Sequence, residues 1–171
     1  TLALIKPVVP HARLLLAGDG RLLQECYLLA ERLGVERMVD FLGHRDDLEQ
    51  LLPMCDVAVA SSIREGLPVN IMEAMACGLP VLASDNRGHR ELISNKVNGY
   101  LIPVNDCFQC ALRLLELSRS KVSREAMGIE NVNKIKRYAN PMIRAELSDV
   151  YTPYMVGDED ETQGQYHRAH L

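Results

Sequence analysis

Five short apolar runs, RLLLAG (13–18), VDFLG (39–43), DVAVASS (56–62), PVLAS (80–84) and GYLIPV (99–104), recur along the chain with periodic, amphipathic stretches between them. This alternation constrains the fold more than any other feature. The runs are apolar throughout, not at every second residue, which is the pattern of strands covered on both faces. Strands of that kind joined by helices build a parallel sheet, so the expected class is α/β: a doubly wound parallel sheet with helices on both faces. At 171 residues such a fold removes roughly 70% of the unfolded chain's surface from water and needs no metal or disulfide staple.

The helices have readable ends. Asp19 and Gly20 precede a periodic stretch that closes at Gly34, and Asn105 and Asp106 precede CFQCALRLLELS. Pro68 suits the first turn of a helix that closes at Gly78, while TLALIKPV reads as the last turns of a helix stopped by Pro7 and Pro10. Beyond residue 118 the pattern becomes polar and helical without strands, and the basic residues of 119–137 read as a solvated surface. NPMIRAELSDVYTPYM (140–155) predicts one more helix, and GDEDETQGQYHRAHL a disordered acidic tail. The expected organisation is therefore a folded domain over 1–155 and a tail over 156–171.

The formal charge of −4 sits in that tail, at Asp158, Glu159, Asp160 and Glu161, leaving a nearly neutral body without Trp. A nucleic-acid partner, which asks for a basic footprint and stacking rings, is excluded on this ground. No apolar run approaches the ~18 to 20 residues of a membrane span and no signal segment opens the chain, so a soluble protein is expected. Thr1 in place of Met suggests a piece of something longer. Cys26, Cys55 and Cys77 read as buried free thiols in helices. Cys107 and Cys110 form a CxxC on a helix, with no second pair or spaced His to complete a zinc site, so no metal is expected.

In a doubly wound sheet ligands bind beyond the carboxyl ends of the strands, which directs attention to the loops at 18–20, 43–47, 62–68 and 84–90. AGDGRLL offers Gly18 and Gly20, but Leu23 takes the third glycine's place and Asp40 starts the next strand instead of ending it, so a dinucleotide fingerprint is incomplete. SSIREGLPVNIMEAMACGLPVLAS carries more. Asn70 and Glu73, three apart, share one edge of a helix that reads as otherwise buried. A carboxylate there needs a partner or a ligand: a salt bridge, with Arg90 for example, or hydroxyl groups of a bound molecule. The first amides of the same helix, from Leu67 to Asn70 with Val69 among them and Pro68 excepted, offer an anion site with roughly half a positive charge behind it.

Glu65 and Glu73, with seven residues between them in EGLPVNIMEAMACGLPVLAS and followed by SDNRGHRELI, resemble the C-terminal half of family 4 retaining glycosyltransferases of GT-B architecture. The resemblance runs from LLLAGDG through GYLIPVND to the final predicted helix. It implies a Rossmann-like domain, one half of a GT-B fold, that binds a nucleotide-sugar, in the first place a UDP-sugar. Glu65 matches the Glu that faces the sugar or its reacting centre, the catalytic position. Gly66, Leu67 and Val69 match backbone contacts to sugar and phosphate, and Glu73 the residue that holds the ribose. His44 and Arg45, in VDFLGHR, match the nucleobase loop. The SDNRGHRELI form, with Arg87 where many members have Gly, resembles the branch that makes surface polysaccharides.

The same resemblance implies what is missing. In such enzymes a basic pair on the first strand and loop clamps the diphosphate, and a separate N-terminal domain carries the acceptor; both would precede Thr1. The piece by itself is then expected to bind the nucleotide-sugar weakly and to transfer nothing. No cofactor or metal is implied, and the intact enzyme would be cytoplasmic, with peripheral membrane contact through the other domain. Two other readings stand beside it. A nucleotide-sugar epimerase or a phosphorylase shares the architecture, although none of Lys6, Lys96, Lys121, Lys134 and Lys136 sits where a pyridoxal-binding lysine is needed. A non-catalytic interaction domain would have Glu65 and Glu73 merely balance Arg64 and Arg90.

Overall fold

The computed structural model describes residues 1–138, and these alternate as expected. In chain order they form α1 (Leu2–Ile5), β1 (Leu14–Ala17), α2 (Leu23–Arg32), β2 (Val39–Gly43), α3 (Leu48–Leu51), β3 (Ala58–Ala60), α4 (Val69–Ala76), β4 (Val81–Ser84), α5 (Arg87–Leu92), β5 (Gly99–Ile102), α6 (Cys107–Arg119) and α7 (Lys121–Ile135). The predicted helix over 140–155 and the tail over 156–171 lie outside the described residues.

Among the described residues all strand pairings are parallel, but the sheet is divided. β1 pairs with β2, and β3, β4 and β5 form a separate three-stranded sheet with β4 in the middle. Every residue of β4 is buried, as its unbroken apolar run requires. The cores are divided in the same way: Leu82, Tyr100, Ile102, Leu117 and Met127 cluster about the three-stranded sheet, and Ala30, Val35 and Met38 beside the two-stranded one. β1 and β3 are less well covered, with Leu16 37% and Val59 46% exposed although each lies inside a strand.

Local chemistry explains several helix ends. Gly34 and Gly78 take φ of 62° and 72°, the left-handed conformation that closes a helix, and the N–H groups of Val35 and Leu79 reach back to the Ala30 and Ala74 carbonyls. Asp106 caps α6 by accepting the Gln109 N–H at 2.9 Å. Two expectations are corrected. Asp19 does not cap α2, whose N-cap is Leu22 with no side-chain bond. Pro68 is the N-cap of α4 and not its first helical residue, with ψ of 100° still extended.

The polar helix α7 is not only a solvated surface. Gly128 lies so close to the Gly78 carbonyl that a Cβ there would collide with it. One turn on, Asn131 is fully buried and donates to the Leu79 carbonyl at 2.6 Å and to the Asn98 carbonyl at 2.8 Å, while accepting from Asn98 Nδ2 at 2.7 Å. The thiols also differ from expectation: Cys26 on α2 is exposed, and Cys55, in the loop before β3, and Cys77, at the end of α4, are only partly buried.

Candidate functional site

The loops that follow β3 and β4 meet backbone to backbone. Ser62, at the end of the β3 run, offers its carbonyl to two donors from the next unit, Ser84 Oγ and Asn86 Nδ2, the latter at 2.9 Å. Asn86 also caps α5, its Oδ1 accepting the His89 N–H at 3.0 Å. Gly88, in the first turn of α5, presses against the next loop: a Cβ on it would lie 2.7 Å from the Glu65 carbonyl oxygen and closer still to that of Gly66. The Glu65–Gly66 turn is thus seated on the β4–α5 connection.

From that turn the chain enters α4. The first hydrogen bond there is donated by Ile71 N to the Pro68 carbonyl, so the amides of Val69 and Asn70 have no acceptor within the helix. No acidic side chain stands in the first turn to offset the positive helix end. Leu67, Val69 and Asn70 are exposed at this end, and Gly66 is open to solvent.

Glu73 lies on α4 as the spacing predicts, but its surroundings differ from the sequence reading. It is exposed, since α4 buries only the face carrying Ile71, Ala74 and Met75. The proposed salt bridge with Arg90 is absent: Arg90 pairs with Asp85, Nε to Oδ1 at 2.6 Å and Nη2 to Oδ2 at 3.1 Å, which holds the Asp85 carboxyl below its usual range. Neither Glu65 nor Glu73 makes an ion pair or side-chain hydrogen bond among the described residues, so the carboxylates do not balance Arg64 and Arg90.

His44 and Arg45 follow β2, at the carboxyl end of the other strand pair. Asp19, exposed after β1, accepts the His44 N–H on Oδ2 at 3.1 Å, and Gly18 N donates to the Gly43 carbonyl at 2.6 Å. The side chains are occupied locally: His44 Nε2 lies 3.0 Å from Asp46 Oδ1, and Arg45 Nε donates to Asp47 at 2.8 Å, which lowers the Asp47 carboxyl. What this loop presents to a flat ring is therefore mainly its backbone, held by Asp19. Among the described residues no hydrogen bond joins it to the 62–68 loop.

Sequence reasoning missed Asp19, Ser62, Ser84, Asn86, Gly88 and His89. Asn86 was findable, since Asn ahead of a short periodic stretch is a cap signal. Gly88 was not, because what it satisfies is a close approach from a loop more than 20 residues away. Among the described residues no group of three or more His, Cys, Asp or Glu side chains could hold a metal, and no helix is long and apolar enough to cross a membrane.

With this geometry in place, the profile of Glycosyl transferases group 1 matches residues 2–134. EpsD of Bacillus subtilis is 39% identical over 159 residues, covering 93% of this chain and 42% of that protein. The Escherichia coli UDP-Gal:alpha-D-GlcNAc-diphosphoundecaprenol alpha-1,3-galactosyltransferase is 30% identical over 151 residues, covering 87% of this chain and 39% of its own. Among solved structures, Anabaena Alr3699/HepE in complex with UDP-glucose superposes with a TM-score of 0.79 at 27% identity, over 84% of this chain and 42% of that one. The chain therefore spans about two fifths of the length of the proteins it matches.

Proposed function

This chain belongs to the glycosyl transferases of group 1, and from that premise we propose that it is the nucleotide-sugar-binding half of a retaining glycosyltransferase that uses a UDP-sugar. In the intact enzyme the sugar passes to an acceptor hydroxyl, which attacks the face from which UDP departs, in the assembly of a polysaccharide or glycolipid. The observation that carries this reading is the β3–α4 unit. Two carboxylates without partners among the described residues, Glu65 and Glu73, flank a helix end whose first amides lack acceptors there.

Each part has a role in such a reaction. Glu65 accepts hydrogen bonds from the sugar or faces its anomeric carbon, and Gly66, Leu67 and Val69 direct backbone groups at sugar and diphosphate. The departing diphosphate gains negative charge, and amides that are already oriented stabilise it without reorganising. Glu73, about a turn and a half into the helix, accepts from the ribose hydroxyls, and the His44–Arg45 loop packs on the base. The HepE complex with UDP-glucose and the galactosyl donor in the Escherichia coli relative's name support UDP as carrier. No metal or cofactor enters this scheme.

The acceptor domain and a basic pair for the diphosphate belong, in this proposal, to chain preceding Thr1, and a strand of that chain lies between β1 and β3. The divided sheet and the exposure of Leu16 and Val59 support it. Titrating UDP into isotope-labelled protein tests the site: amides at 43–45 and 65–73 are expected to shift at millimolar nucleotide. Glu73→Ala should abolish those shifts while leaving stability within about 0.5 kcal/mol, because the side chain is exposed and unpaired. Shifts confined to other residues would refute the assignment.

A further inference from the structure

His89 is 0% exposed, yet its Nε2 has no hydrogen-bond partner among the described residues. Its Nδ1 lies 2.6 Å from the Ser84 carbonyl oxygen, which can only accept, so Nδ1 carries the proton. Asn86 Nδ2, 3.0 Å from the same nitrogen, is a donor too and is committed to the Ser62 carbonyl. An aliphatic side chain would fill this volume without leaving a buried lone pair unpaired. What the imidazole adds is the Nδ1 donor.

That donor acts where two loops are joined. Ser84, whose carbonyl it engages, also gives its hydroxyl to the Ser62 carbonyl, and Ser84 Oγ lies 3.3 Å from Nδ1. The backbone N–H of His89 is held by Asn86, the second donor to Ser62. Gly88, the preceding residue, supports the carbonyls of Glu65 and Gly66. His89 is thus fixed through ring and backbone to the three residues on which the 62–66 loop rests, while its own side chain is shut off from solvent.

We propose that His89 is a positioning residue for the nucleotide-sugar: by holding Ser84, Asn86 and Gly88 in register, it fixes the Glu65–Gly66 turn that reads sugar and diphosphate. This rests on the site reading above. The ring touches no substrate; it acts through the backbone of its neighbours. Loss of the Nδ1 donor frees the Ser84 carbonyl and lets the β4–α5 connection shift, and the turn seated on it moves with it.

Three variants of the full-length protein separate the two ring nitrogens. Asn offers a donor near the position of Nδ1, Gln places its amide near Nε2, and Leu supplies neither. His89→Leu and His89→Gln are expected to weaken UDP-glucose binding by about tenfold or more, since small displacements of a positioning element carry large losses. His89→Asn should stay within about threefold of the parent although its smaller side chain lowers the melting temperature, so that affinity and stability part company. Amide exchange over 62–67, measured without ligand, should accelerate in the Leu and Gln variants and not in Asn. If His89→Leu does not fold, the Asn and Gln pair decides. Equal losses in Asn and Gln, or affinities that simply follow melting temperature, overturn the positioning role. If the parent protein does not bind UDP-glucose, the site reading fails, and the exchange pattern decides the role of His89 separately.

Discussion

Gly88 and Gly66 meet backbone to backbone, with the Cα of one against the carbonyl oxygen of the other, so that neither loop can move without the other. In a helix, Gly→Ala ordinarily stabilises by roughly 0.5 to 1 kcal/mol. At Gly88 the sign should reverse, because the added methyl would lie 2.7 Å from the Glu65 carbonyl oxygen and would press on rigid backbone. Gly88→Ala is expected to cost about 1 to 3 kcal/mol in urea unfolding and to reduce UDP-glucose affinity, by moving the turn that carries Glu65. A variant as stable as the parent and with its full affinity would show that the contact is slack.

The alternation of strands and helices was legible because each strand leaves an apolar run as its trace, most completely at β4, where every residue is buried. Helix ends at Gly34, Gly78 and Asp106 were legible because they rest on local chemistry. Glu73 was misjudged for a physical reason: α4 is apolar in composition, yet it buries only the face carrying Ile71, Ala74 and Met75, leaving even Val69 exposed, and composition does not report burial. Asp19 was misjudged because an Asp before a helix reads as a cap, while here its carboxylate serves the neighbouring loop. Gly88 and His89 depend on contacts between loops, which no local pattern records.

Asp19 and His44 provide a test of the nucleobase loop. Asp19 is exposed, so Asp19→Ala should change stability by less than about 1 kcal/mol, the net worth of one hydrogen bond. The His44 amide, deprived of its acceptor, should exchange faster with solvent. If the loop holds the base through its backbone, UDP binding should weaken by about three- to tenfold while His44→Ala alone has less effect. The reverse order would put recognition in the imidazole.

Tyr100 and Glu116 link β5 to α6 and impose a pH signature. Burial, followed by the hydrogen bond its hydroxyl donates to Glu116 at 2.5 Å, pushes the Tyr100 phenol from 10.0 up to about 12. The same bond, with a second from Arg113, lowers the Glu116 carboxyl. Since the phenol is raised on folding, its contribution to stability is complete below pH 10.0 and disappears as pH climbs toward 12. The Glu116 contribution runs the other way, present above its ordinary 4.5 and lost as pH falls. Tyr100→Phe should flatten the alkaline limb and remove the latest phenolate component at 295 nm; an unchanged titration would exclude the pairing.

Asn131 is the buried polar residue that fastens α7 to the three-stranded sheet. Asn131→Ala strips the Leu79 and Asn98 carbonyls of a donor and leaves Asn98 Nδ2 with the Leu92 carbonyl alone. Orphaned buried groups of this kind cost about 1 to 3 kcal/mol each, so a loss of roughly 2 to 4 kcal/mol is expected in chemical denaturation. A change below about 0.5 kcal/mol would mean that water replaces the amide.

The divided sheet makes the remaining prediction. A strand such as β3 usually buries both faces in an α/β fold, yet Val59 is 46% exposed, and Leu16 in β1 is 37% exposed. If a strand from preceding chain lies between β1 and β3, it supplies hydrogen-bond partners to two free edges and covers both side chains at once. Val59→Cys and Leu16→Cys should then react readily with a thiol reagent in the 171-residue chain and slowly in the longer protein. Exposed control positions such as Val122 and Ile129 should react alike in both. Because parallel edges joined across a gap also gain cooperativity, the longer protein should unfold in one transition, whereas the two sheets of the shorter chain, with their separate cores, should be able to part. Equal labelling of Val59→Cys in both forms would place the preceding chain elsewhere.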